Sequence, residues 1–232
     1  SGIGILISLY LFYRTNNSKS KMFNMINILV QGISLILADG RSAYLILLSI
    51  VFCYLLFILK KNYQRILLIV IPIMISVVAF FTLPANLLHK ILTSREYIWQ
   101  SAINLIYKYP FTGVGNVNKI GRIQDVRVAY LQGFEEGGLH NIFFEVAVVN
   151  GLISLVLFIL FIVFLLLFSF KKINKISISK GREYFIIFAL VVGLILVNLL
   201  ESSLLYIISF ISIIFWIYSG YLVAILNKSK KF

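Results

Sequence analysis

Apolar runs alternate with short polar breaks along most of the chain. The runs fall at 22–38, 43–59, 66–83, 140–170, 184–200 and 203–226, with a shorter one at 1–13. A helix needs roughly 17 to 25 apolar residues to cross about 30 Å of hydrocarbon, so each of the six longer runs is predicted to span a membrane. The longest is expected to tilt or to project beyond the bilayer. The predicted fold class is therefore all-α, a polytopic transmembrane helical bundle. The interval 84–139 breaks this rhythm and is far longer than a connection needs to be. Within it, "TSREYIWQSAINLIYKYP" places apolar residues at Ile98, Ala102, Leu105 and Tyr109, the spacing of one helix face. Thr93 and Glu96 have capping-box spacing, and Pro110 is a stop signal. The expectation is an amphipathic surface helix on the outer side of the membrane, with Tyr97, Trp99, Tyr107 and Tyr109 at headgroup level. The following "PFTGVGNVNKIG" reads as a glycine-rich turn. Three regions result: transmembrane helices at 1–83, an extracytoplasmic loop at 84–139, and C-terminal transmembrane helices with a cytoplasmic tail at 140–232.

Composition agrees with a membrane location: 61% of the 232 residues are hydrophobic and the mean hydropathy is +1.00. The chain begins inside an apolar segment without methionine or a basic leader, which suggests the C-terminal part of a longer polytopic protein, its first helix cut short. The single cysteine, Cys53, lies inside an apolar run and is expected to pack there.

A net charge of +13 raises nucleic acid as a partner until the charges are located. Fourteen of the 21 basic residues form four patches, at Arg14–Lys21, Lys60–Arg65, Lys171–Arg182 and Lys228–Lys231. If the chain changes sides at every run, all four patches share one side, which the positive-inside rule makes the cytoplasm. Asp39–Ser42, Pro84–Leu139 and Glu201–Ser203 then face outward, and of the acidic residues only Glu183 is inside. Nucleic acid is excluded as a partner, the lipid bilayer is included, and the C-terminus is cytoplasmic.

Seven basic residues remain outside, against the topological bias: Arg41, Lys90, Arg95, Lys108, Lys119, Arg122 and Arg127. Arg41, at the outer mouth of a helix, can snorkel and pair with Asp39, or bind an anion. Arg95 stands in the first turn of the predicted surface helix, where the macrodipole disfavours a cation but favours an anionic ligand held by both. It can equally be a solvated residue stacked on Trp99. His140, one of two histidines, follows two glycines at the start of a helix whose positive end favours the neutral imidazole, the form that accepts a proton. A general base and an interfacial histidine bonded to a loop carbonyl both fit this setting. His89 reads as interfacial. Glu145 lies about 140° around the helix from His140 and is expected to meet a neighbouring helix or to support the site indirectly. Glu135 and Glu136 lie closer to the cavity mouth, without a spacing that makes them a carboxylate pair. The "GVG" glycines follow a helix and not a strand, so a nucleotide fingerprint is not supported.

The order "GRSAYL", then an external loop containing "SREYIWQSAINLIYKYPFTGVGN", then "HNIFFEVAVVNGLISLVLF" resembles the O-antigen ligase and polymerase family of bacterial envelope glycosyltransferases. The likeness covers about Asp39 to Leu167. It implies an enzyme of the bacterial cytoplasmic membrane, its site extracytoplasmic, that moves an oligosaccharide from an undecaprenyl diphosphate carrier to a glycan acceptor without metal, nucleotide sugar or other cofactor. It also implies Arg41 and Arg95 as diphosphate-binding residues and His140 as the base, with inversion at the sugar carbon. Richness in Ile, Lys, Asn and Phe matches the AT-rich genomes of many Gram-positive capsule producers, which favours a repeat-unit polymerase for capsule, exopolysaccharide or O-antigen. Other polysaccharide assembly proteins are then expected as partners. The alternatives are a glycan or protein ligase of the same family and, in another class, a polysaccharide transporter or flippase component. A lipid-binding scaffold is a further alternative.

Overall fold

The computed structural model describes residues 2–37, 41–93, 95–129, 138–176 and 178–228. Asp39, Glu135 and Glu136 lie outside the described residues, as does the side chain of Arg41. Ten helices are described: α1 (Gly2–Arg14), α2 (Ser18–Leu37), α3 (Arg41–Ile58), α4 (Asn62–Thr82), α5 (Ala85–Leu92), α6 (Arg95–Lys108), α7 (Lys119–Asp125), α8 (Ile142–Ile173), α9 (Ile178–Val197) and α10 (Phe210–Lys228). The described residues contain no strand, so the fold is all-α.

Four of these helices, α2, α4, α8 and α10, are long and apolar enough to cross a membrane. The apolar stretches Gly2–Arg14, Tyr44–Ile58 and Glu183–Val197 are shorter. The protein is thus a polytopic helical membrane protein. The last expected run, 203–226, is corrected: α10 begins only at Phe210. Ser209 explains the late start, because its hydroxyl accepts the Ser212 amide at 3.0 Å and caps the helix there.

The chain forms two compact units. The first comprises 1–57, 162–198 and 207–232. In it α1 packs on α2 and α9, and α9 packs on α10. Leu6, Ile187, Leu190, Leu194, Phe215 and Leu222 are fully buried. Close approach of α3 and α9 depends on small residues, as helix association in lipid generally does. Ser49 donates to the Ala189 carbonyl at 2.8 Å, and a Cβ on Gly193 would stand 2.7 Å from the Ser49 hydroxyl. Cys53 is buried in this packing. Arg14 donates to the Tyr10 hydroxyl at 2.9 Å, which lies 3.1 Å from that of Tyr221.

The second unit comprises 58–161 and 199–206. Its α4 has no buried residue, as suits a helix facing hydrocarbon on most sides. The core lies elsewhere: Ile98, Ala102 and Leu105 of α6 pack with Ile123 of α7, Leu139 and Val148 of α8. This corrects the picture of α6 as lying on lipid. The apolar face read from the sequence exists, but it is buried against protein. Thr93 and Glu96 make no capping box, because Thr93 bonds the Leu92 carbonyl at 2.6 Å and Glu96 pairs with His89.

Helix α8 is broken at Gly151, whose φ of 85° and ψ of 174° are open only to glycine. The break is filled by the glycine-rich turn: Val114 and Gly115 donate to the Val148 and Val149 carbonyls at 2.9 and 3.0 Å, and Leu152 donates to the Pro110 carbonyl at 2.7 Å. These bonds satisfy backbone groups that the interrupted helix would otherwise leave open. From Leu152 to Ile173 the helix is about 33 Å long, enough for the hydrocarbon. The preceding stretch, Ile142–Asn150, is folded together with the loop.

Candidate active site

His140 is not the first residue of α8. It stands just ahead of the helix, with Asn141 between, and its φ of 48° puts it in the left-handed region. Asn141 is the cap: its side-chain oxygen accepts the Phe143 and Phe144 amides at 2.9 and 3.2 Å. The Asn141 amide group in turn donates to the Leu199 carbonyl at 3.0 Å, which ties the segment 199–206 to the helix start. Tyr206 donates to Asn150, the residue before the break in α8, and fixes the other end of that segment.

The tie brings Glu201 to the site. Its Oε1 lies 3.6 Å from the Arg95 guanidinium and its Oε2 lies 3.7 Å from His140 Nδ1. The side chains of Arg95, His140 and Glu201 are 21%, 22% and 30% exposed, so the three meet in a partly dry mouth that is still reachable from outside the fold. His140 Nδ1 itself is buried and makes no hydrogen bond among the described residues. Arg95, the first residue of α6, adds its charge to the positive end of that helix. A guanidinium at the amide end of a helix suits a phosphate oxygen. An imidazole whose Nδ1 faces a carboxylate has Nε2 available as the proton acceptor.

Of the residues singled out from the sequence, the structure thus brings Arg95 and His140 together. Arg41 opens α3 in the first unit. Arg95 pairs with Glu201 rather than standing solvated. Trp99 instead stacks on Phe144 with ring centroids 5.9 Å apart and donates to the Leu139 carbonyl at 3.0 Å. His89 is more than interfacial, since it pairs with Glu96 and lies 2.9 Å from the Tyr97 hydroxyl. Glu145 is buried, where it pairs with Lys119 and accepts the Leu139 amide at 3.1 Å. Among the described residues no three His, Cys, Asp or Glu side chains gather in a way that could hold a metal ion.

Sequence reasoning missed Glu201 as a site residue and used it only to assign a side of the membrane. The available signal was an acidic residue in "NLLESS", the polar break between two apolar runs.

Comparison with known proteins adds one finding. A family model described as O-antigen ligase matches residues 26–159, more than half of the chain, with Arg41, Arg95 and His140 inside the match and Glu201 outside it. No curated protein and no solved structure matches. The matched segment includes the loop, the break in α8 and two of the three residues that meet at the mouth, and on that match the chain belongs to the O-antigen ligase family.

Proposed function

We propose that this protein transfers an oligosaccharide from undecaprenyl diphosphate to a glycan acceptor on the outer face of the cytoplasmic membrane. The acceptor is a second lipid-linked repeat unit, so that the product is a growing capsular, exopolysaccharide or O-antigen chain. The observation that carries this reading is the meeting of Arg95 and His140 on the two oxygens of Glu201. A guanidinium that can bind an anion then lies near an imidazole that can accept a proton, which supports glycosyl transfer from a diphosphate.

In the proposed reaction the donor diphosphate binds at Arg95 and the N-terminus of α6; Arg41 is proposed as a further diphosphate-binding residue on the family resemblance alone. His140 Nε2 removes the proton of the acceptor hydroxyl as its oxygen attacks the sugar C1. The C1–O bond to the diphosphate breaks on the opposite face, the electron pair leaves with undecaprenyl diphosphate, and the new linkage is inverted. Fixed guanidinium groups in a partly dry site stabilise the charge gained by the leaving group. Glu201 meets Arg95 and His140 before the donor arrives. When phosphate takes the guanidinium, the carboxylate is left to orient Nδ1 and to stabilise the imidazolium that forms, as the acid of a catalytic triad does.

Complementation of a strain lacking the full-length gene tests this reading, with wild type, Arg41→Ala, Arg95→Ala and His140→Ala compared at equal protein level. The expected result is loss of long surface polymer with accumulation of single lipid-linked repeat units in all three mutants. Normal chain length in every mutant would contradict it and leave the outer-mouth residues with a structural role. Accumulation of finished but unattached polymer would make the protein a ligase.

A further inference from the structure

The buried pair Lys119–Glu145 takes no part in the reaction proposed above, yet burying two charges is costly. Lys119 is 7% exposed and Glu145 1%. Glu145 Oε1 receives the Lys119 ammonium, while Oε2 accepts the Leu139 amide at 3.1 Å. The Leu139 carbonyl is held from the other side by the Trp99 indole at 3.0 Å. Both backbone polar groups of Leu139 are therefore fixed, directly before a histidine with φ 48° and directly after Gly138 with φ 67°. A non-glycine residue stays in the left-handed region when its surroundings over-determine it. Here the surroundings are the clamp on Leu139.

We infer that Glu145, fixed by Lys119, is a positioning residue that holds the backbone at His140 and so sets the direction of the imidazole. This rests on the reading of His140 as the base. Glu145 supplies a hydrogen-bond acceptor to Leu139, and Lys119 neutralises and orients that acceptor. The acceptor matters for turnover; the charges matter only to each other.

The test compares the full-length wild type with Lys119→Met/Glu145→Gln, Lys119→Met/Glu145→Leu, Trp99→Phe and His140→Ala, using undecaprenyl diphosphate-linked oligosaccharide as donor. Both double variants remove the ion pair as a unit, and only the glutamine keeps a carbonyl for Leu139. The glutamine pair is expected within about threefold of wild-type kcat. The leucine pair is expected to lose about tenfold or more in kcat with KM for the donor unchanged, the mark of a displaced base. Trp99→Phe keeps the ring stack and loses the other half of the clamp, and its kcat falls in the same direction. Equal turnover in the two pairs overturns the proposal. If the leucine pair does not accumulate, wild-type turnover in Trp99→Phe overturns it instead. Inactive His140→Ala with equal rates in the two pairs removes the clamp and keeps the base, whereas active His140→Ala removes the reading on which the clamp depends.

Discussion

In the proposed reaction Glu201 is the residue on which the site turns, since its carboxylate faces both a guanidinium and an imidazole. Glu201→Gln keeps the shape and the hydrogen-bonding capacity but loses the charge that meets the imidazolium. It is expected to lower kcat about tenfold to a hundredfold, without raising the donor KM, because Arg95 is released to bind phosphate. Steady-state kinetics on purified protein would check this, and a raised KM with unchanged kcat would place Glu201 in donor binding instead. Arg95→Lys is expected to be severely impaired, since an ammonium cannot reproduce the planar fork. Arg95 and His140 stand out in the sequence as candidates because each stands at a local signal, a helix start or a polar break before an apolar run. Glu201 could not be joined to them, because the bonds that bring it there, Asn141 to Leu199 and Tyr206 to Asn150, connect positions far apart in the chain. Thr93 and Glu96 show the reverse case, in which a correct local pattern loses to tertiary partners.

At the scale of elements, the joint between the glycine-rich turn and the break in α8 holds the second unit together. Gly113 has φ 61°, and a Cβ there would stand 2.4 Å from the Val149 carbonyl oxygen. At Gly151 a Cβ would stand 2.2 Å from the Phe111 carbonyl oxygen. Backbone on both sides leaves nothing that can yield. Gly113→Ala and Gly151→Ala are each expected to cost about 3 kcal/mol or more, from a strained backbone and a steric overlap together. Thermal unfolding in detergent and protein level in membranes would show it, whereas Gly121→Ala, with open space around it, is expected to be neutral. Sequence periodicity located the apolar face of α6 correctly. It could not tell which surface that face meets, because lipid and protein interior are equally apolar and select the same residues.

Across the whole molecule, alternating apolar runs gave the polytopic all-α fold directly, since spanning length and composition are local properties. The proposed sidedness rests on the basic patches alone, and labelling tests it. Cys53 is fully buried and is expected not to react with a membrane-impermeant maleimide. Tyr107 is 82% exposed, so Tyr107→Cys is expected to react in intact cells. Lys175→Cys, in an exposed position of a basic patch, is expected to react only after lysis. The opposite pattern would move the site to the cytoplasmic face, where a lipid-linked donor flipped outward is not available.

The most direct test of the central claim is transfer by purified full-length protein from undecaprenyl diphosphate-linked repeat unit, following polymer and released undecaprenyl diphosphate together with donor binding. The wild type is expected to release one carrier for each linkage formed, and His140→Ala to bind the donor with unchanged affinity and form no linkage. Linkage formation by His140→Ala at the wild-type rate would contradict the account, because the base would then lie elsewhere.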